Sequence, residues 1–208
     1  MKSVIFLTFL CGALSIHAQS DRYVSAMKAN LSLLDSAKTT QDYQTVANTF
    51  ERIGDAEKTQ WLPYYYAGLA LVLSGWGDPK LDKDVNSTRV NAICDKAEAL
   101  EKNSEIYTIR NMAATQQMMV DPQTRWQTYG QTASQYLQKA IQLDPNNPRV
   151  YYLQGQSVFN TPVAFGGGKA NAKPLFEKSV ELFKQEQPKP LYPNWGKDQA
   201  EMMLAKCQ

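Results

Sequence analysis

Lys96-Ala97-Glu98-Ala99-Leu100-Glu101-Lys102-Asn103 and Lys139-Ala140-Ile141-Gln142-Leu143-Asp144-Pro145-Asn146 match position for position in character. Each closes a stretch whose apolar residues recur every three or four positions, and a second such stretch follows each. The pattern reads as one helix ending and another beginning. Phe50-Glu51-Arg52-Ile53 falls in the same register upstream, and Phe176-Glu177-Lys178-Ser179-Val180 does so downstream. The aligned positions Ile53, Ala97, Ala140 and Ser179 lie 44, 43 and 39 residues apart. A period of that size marks stacked helical hairpins, because one hairpin cannot bury its apolar face alone and needs a neighbour.

Breakers divide the rest of the chain at similar intervals: Gly54, Gly75-Trp76-Gly77-Asp78-Pro79, Asp121-Pro122, Asp144-Pro145, Thr161-Pro162, Gly166-Gly167-Gly168, and Pro188, Pro190 and Pro193. Between them the spacing predicts helices over about 22–38, 41–57, 61–75, 85–101, 105–119, 124–143, 148–160, 170–185 and 195–206. No segment alternates as a strand does, so the expected class is all-α. Asp42 stands by the exposed N–H groups of the second helix, and Pro148 suits the first turn of the seventh, where a missing N–H costs nothing.

These residues resemble the tetratricopeptide repeat (TPR) superfamily, whose first helix carries an aromatic, a glycine and a tyrosine and whose second carries small residues before a proline. Ala133, Leu137, Ala140 and Pro145 run without a gap into Tyr151, Gly155 and Val158. Phe50 runs likewise into Tyr64, Ala67, Gly68 and Leu71, and residues 27–60 place Leu33, Leu34, Ala37, Val46, Phe50 and Ile53 in one gapless unit. Met112 and Cys94 depart from the pattern, standing where a glycine and an aromatic are expected. The resemblance implies a TPR-like α-solenoid of about four hairpins, at 27–60, 61–104, 105–147 and 148–185, with a capping helix at 195–206. The units exceed the 34-residue TPR length by about 10, 9 and 5 residues, and the excess falls in the turns 75–84, 120–124 and 160–170. The Gly-rich turn followed by Asn194-Trp195-Gly196 is also similar to TPR proteins of bacterial envelopes, including the T-component of TRAP transport systems.

The N-terminus reads as a secretory signal, with Lys2 as its charge, Val4 to Ile16 as its apolar stretch and Ile16-His17-Ala18 as its end. That stretch is too short to cross a bilayer, so the expected product is a soluble exported domain, 19–208, in the bacterial periplasm. Phe9-Leu10-Cys11 puts a bulky leucine where a lipobox wants a small residue, which disfavours lipid anchoring. His17 is the one histidine of the chain and leaves with residues 1–18. Without imidazole there is no Ser-His-Asp or Cys-His pairing and no His-ligated metal. Lys+Arg number 22 against 20 Asp+Glu, so the balance makes no case for nucleic acid or an anionic membrane. Cys94 and Cys207 remain, and the sequence leaves open whether they pair.

Three motifs invite chemistry. Gly166-Gly167-Gly168-Lys169 exposes backbone N–H groups before a helix, but Ala170 stands where a phosphate loop needs Ser or Thr, so the reading is a turn with a loop-contact alternative. Trp61-Leu62-Pro63-Tyr64-Tyr65-Tyr66 would stack bases only if its rings shared a face; at about 100° per residue they do not. Tyr64 is then core, Tyr65 faces the inner groove and Tyr66 is partly packed. The carboxylate pairs Asp82/Asp84, Glu98/Glu101 and Glu177/Glu181 lie on lysine-rich polar stripes, the usual pattern of solvated ion pairs.

The expected function is therefore a non-enzymatic scaffold, with no cofactor and no catalytic or metal-binding residues, that binds a protein or peptide in its concave groove. The resemblance places Tyr65, Leu69, Val72, Ile109, Gln116, Gln117, Arg149, Tyr152, Gln156 and Asn160 along that groove. A small-ligand accessory of an envelope transport or assembly system is the alternative, and a carboxylate-pair hydrolase is the remote one.

Overall fold

The computed structural model describes residues 21–187 and 189–208, so the signal-like stretch lies outside the described residues. Its helices are α1 (Asp21–Ser36), α2 (Thr40–Glu57), α3 (Leu62–Gly77), α4 (Lys83–Leu100), α5 (Ser104–Val120), α6 (Pro122–Arg125), α7 (Gln131–Leu143), α8 (Pro148–Asn160), α9 (Lys169–Gln185) and α10 (Lys197–Ala205). No strand occurs among the described residues, in keeping with the all-α expectation. The single helix expected over 124–143 is instead α6, a π-helical segment Trp126–Gly130, and α7.

Side chains cap the starts of four helices among the described residues. Thr39 and Asp42 form a reciprocal capping box on α2, Asp82 accepts from Asp84 and Val85 N–H on α4, Asn103 accepts from Ile106 N–H on α5, and Asn147 accepts from Arg149 N–H on α8. Each cap satisfies donors the first turn leaves unpaired.

Successive helices pack on one another in chain order, and α3 also packs on α5, and α5 on α8. Buried polar side chains tie neighbouring helices together by reaching a backbone carbonyl across the contact. Asn30 donates to Val46 O, Asn86 to Leu71 O, Asn111 to Ala133 O, and Ser179 to Pro148 O, each within 3.0 Å. Gly155 lets α9 close on α8, since a Cβ there would lie 2.6 Å from the Phe176 ring. Helix α3 is the centre of the molecule: Leu62 through Val72 are all buried.

The starts of α3, α5 and α8 meet. Tyr65 and Arg149 both bond Glu105, and Asn147 bonds Ser104 and Glu105. Farther along, Gln116 of α5 donates to Val72 O of α3 at 2.7 Å, so these helices run in the same direction. Their C-terminal ends, and the long turns that follow, therefore lie at one end of the molecule. No helix among the described residues is long and apolar enough to cross a membrane.

Candidate functional site

The residues expected to line an open groove are mostly interior. Tyr65, Leu69, Val72, Ile109, Gln116, Arg149 and Tyr152 are buried; Gln117 and Gln156 are half-buried and Asn160 is exposed. Val72, Ile109 and Gln116 are closed in between α3 and α5, and Tyr65, Arg149 and Tyr152 are covered by the chain's own C-terminal segment. Residues 189–196 form a turn-containing strap over the first turns of α3 and α8: Tyr66 OH donates to Leu191 O, Arg149 Nη2 donates to Pro193 O, and Tyr192 meets Trp61 edge to face at 5.7 Å. All three tyrosines of the 64–66 run are buried, Tyr64 as expected, but also Tyr65, expected to face the groove, and Tyr66, expected to be partly packed.

Arg149 organises this end. Its side chain is 1% exposed, and its guanidinium holds Glu186 through both nitrogens at 2.5 and 3.2 Å and Glu105 at 3.2 Å. The ring faces of Phe183 and Trp195 lie 5.4 and 5.6 Å from it. Burial raises the Glu105 carboxyl above its usual range, although Arg149 opposes the shift. Burial likewise pushes the Tyr65 hydroxyl well up, and Glu105 adds to it. The carboxylates of this network are engaged by the chain's own donors, while Arg149 Nε is buried without a hydrogen-bond partner.

The carboxylate pairs are similarly committed. Glu98 accepts from Tyr107 OH at 2.5 Å and from Arg110 at 3.1 Å, Asp82 caps α4, and Asp84 holds Arg125 at 2.8 Å. Glu177 and Glu181 pair with Lys173 and Lys184 on the exposed face of α9. No group of three or more His, Cys, Asp or Glu is placed to hold a metal among the described residues. Cys94 and Cys207 are free thiols, and burial pushes the Cys94 thiol up to about 12.

The opposite end has a different character. Trp76 closes α3, Met119 and Val120 close α5, Trp126 opens the π segment, and Val163 and Phe165 follow α8; all are about half exposed or more, Phe165 reaching 81%. Large apolar side chains in turns at one end, rimmed by polar groups, mark a binding surface. A polar seam joins Trp76 to Trp126. In it Lys83 Nζ donates to Gly75 O and Asp78 O, while Asp84 accepts from Gln117 at 3.3 Å and from Arg125 at 2.8 and 3.0 Å. Arg125 Nη1 also donates to Gln117 O at 3.2 Å, and its guanidinium lies 5.5 Å from the Tyr129 ring centre.

The Gly-rich turn belongs to this end. Gly166 and Gly168 have φ of 82° and 95°, the left-handed region, and a Cβ on Gly167 would lie 2.0 Å from Thr161 O. Gly167 and Gly168 N–H bond Pro162 O and Val158 O, and Asn171 holds the carbonyls of Gly166 and Gly167. A fixed turn thus holds Val163 and Phe165 out in water. Lys169 begins α9 and is exposed.

These apolar residues were missed by the repeat pattern, which scores helix faces and passes over turns. The signal was nonetheless in the chain: the excess turn lengths carry Trp76, Val120, Val163 and Phe165, where turns are ordinarily polar.

The described residues define an all-helical fold whose carboxylates are held in ion pairs and helix caps, with large apolar side chains exposed in its turns. No family model and no curated protein matches the chain. Among solved structures, the HusA haemophore from Porphyromonas gingivalis is similar at 37% identity and a TM-score of 0.83, over 91% of this chain and 94% of that one. The chain belongs to the family of that haemophore.

Proposed function

We propose that this chain is an exported carrier of haem or a related porphyrin, held against the apolar end formed by Trp76, Met119, Val120, Trp126, Val163 and Phe165. The observation that carries the reading is that set of exposed apolar side chains in the turns, present on a relative of a haemophore. A porphyrin is flat, apolar on both faces and acidic at one edge, and exposed indole and phenyl rings stack on such faces with about 0.5–1.5 kcal/mol each beyond simple burial. The chain has no histidine besides His17. The macrocycle would then be gripped by its faces and edge rather than through imidazole on iron. Lys2, the Val4–Ile16 stretch and Ala18 support export. The chain-order packing of α2 through α9 and the close approach at Gly155 support reading the stack as tetratricopeptide hairpins.

The test is a titration of the protein without residues 1–18 with haem, read by the porphyrin absorption band and by tryptophan emission. Trp76 and Trp126 are about half exposed, whereas Trp61 is buried at the other end, so haem should quench chiefly the first two. Trp76→Ala with Trp126→Ala should weaken uptake at least about tenfold with an unchanged helical spectrum. No band shift and no quenching in the wild type would overturn the reading.

A further inference from the structure

Between the two exposed tryptophans stand two cations that the fold holds in place and does not fully use. Lys83 Nζ donates to the carbonyls of Gly75 and Asp78, and no carboxylate pairs with it among the described residues. An ammonium has three N–H donors, so one is left. The nearby Asp78 carboxylate is turned to Thr40 Oγ1 at 2.9 Å and to Lys80 N–H at 2.8 Å. Every side-chain hydrogen bond of Arg125 runs from Nη1, to Asp84 and to Gln117 O, leaving Nη2 and Nε open in a side chain 27% exposed. Asp84 pairs with Arg125, Asp121 and Asp78 feel the charges of Arg125 and Lys83 while bonding Thr124 and Thr40, and Asp82 is occupied as the cap of α4.

We infer that Lys83 and Arg125 are a paired anchor for two carboxylates on one edge of a flat apolar ligand. This deepens the carrier reading and rests on it. The two cations lie in the seam linking Trp76 to Trp126. A ligand stacked on these rings presents its acidic edge to donors already fixed by main-chain carbonyls. Because the side chains are ordered before the ligand arrives, little freedom is lost on binding. Charge-assisted bonds of this kind are the stronger sort, and they select a dicarboxylate over a neutral ring of the same shape.

The experiment compares protoporphyrin IX with its dimethyl ester, both metal-free, on the wild type and on Lys83→Gln, Arg125→Gln and the double variant. Each single variant should weaken the diacid about tenfold and the double variant about a hundredfold, with the ester unchanged. Lys83→Arg should restore most of the diacid affinity. Raising the salt concentration should weaken the diacid alone. If diacid and ester lose the same factor, the two cations only fasten helix ends and the anchor is overturned; it is overturned too if neither changes. If the wild type takes up neither compound, the carrier reading itself falls and the anchor falls with it.

Discussion

The indole N–H of Trp195 donates to the hydroxyl of Tyr65 at 2.7 Å, across 130 residues of sequence. The same hydroxyl donates to Glu105 at 3.2 Å, and Glu105 holds Arg149. One short path of hydrogen bonds thus ties the strap at 189–196 to the starts of α3, α5 and α8.

Arg149→Met should be among the most damaging single changes in the chain. It removes the one cation that balances Glu105 and Glu186 and leaves both carboxylates without it in a largely buried site. Loss of one partner from such a network costs about 3–5 kcal/mol. Urea unfolding should show that loss, with Trp195 emission shifting to the red as the strap comes away.

Two glutamates should give stability opposite dependences on pH. Glu98 is lowered below the ordinary value of 4.5: burial works against it, but the Tyr107 hydroxyl and Arg110 outweigh that. Its stabilisation is present above 4.5 and is lost as pH falls through its folded value. Glu105 is raised by burial, so its contribution is present below 4.5 and is lost as pH rises through its folded value. Melting temperatures across acid and neutral pH should therefore show wild type gaining on Glu98→Gln with rising pH and losing ground to Glu105→Gln.

Gly155→Ala should cost about 1–3 kcal/mol, because the new methyl meets the fully buried Phe176 ring at 2.6 Å and α9 must shift. Thermal unfolding measures it. Porphyrin uptake by the folded fraction should be retained, since the apolar end holds neither residue.

Gly167→Ala should act the other way round. Its Cβ would collide with the Thr161 carbonyl, so the turn that holds Val163 and Phe165 must change shape, while the helices on either side stay packed. Porphyrin affinity should drop several-fold with a melting temperature within a few degrees of wild type.

These helix ends were legible because they are local. Glu101-Lys102-Asn103 and Asp144-Pro145-Asn146 sit between α4 and α5 and between α7 and α8, as their shared pattern predicts. The filled inner face was not legible. Tyr65 and Arg149 occupy the same helical positions whether that face meets water, a foreign peptide or the chain's own residues 189–196. A contact made 130 residues away leaves no periodicity to read. The apolar end escaped for a different reason: Trp76, Trp126 and Phe165 share an end of the molecule only through the way the helices stack, and each alone is an ordinary exposed ring.

The strap has a further consequence. It fastens the starts of α3 and α8, at the end opposite the turns that carry Trp76, Trp126 and Phe165. A substitution at the tip of one of those turns can change what that end meets without unlatching the helix starts, so the two properties can be altered one at a time.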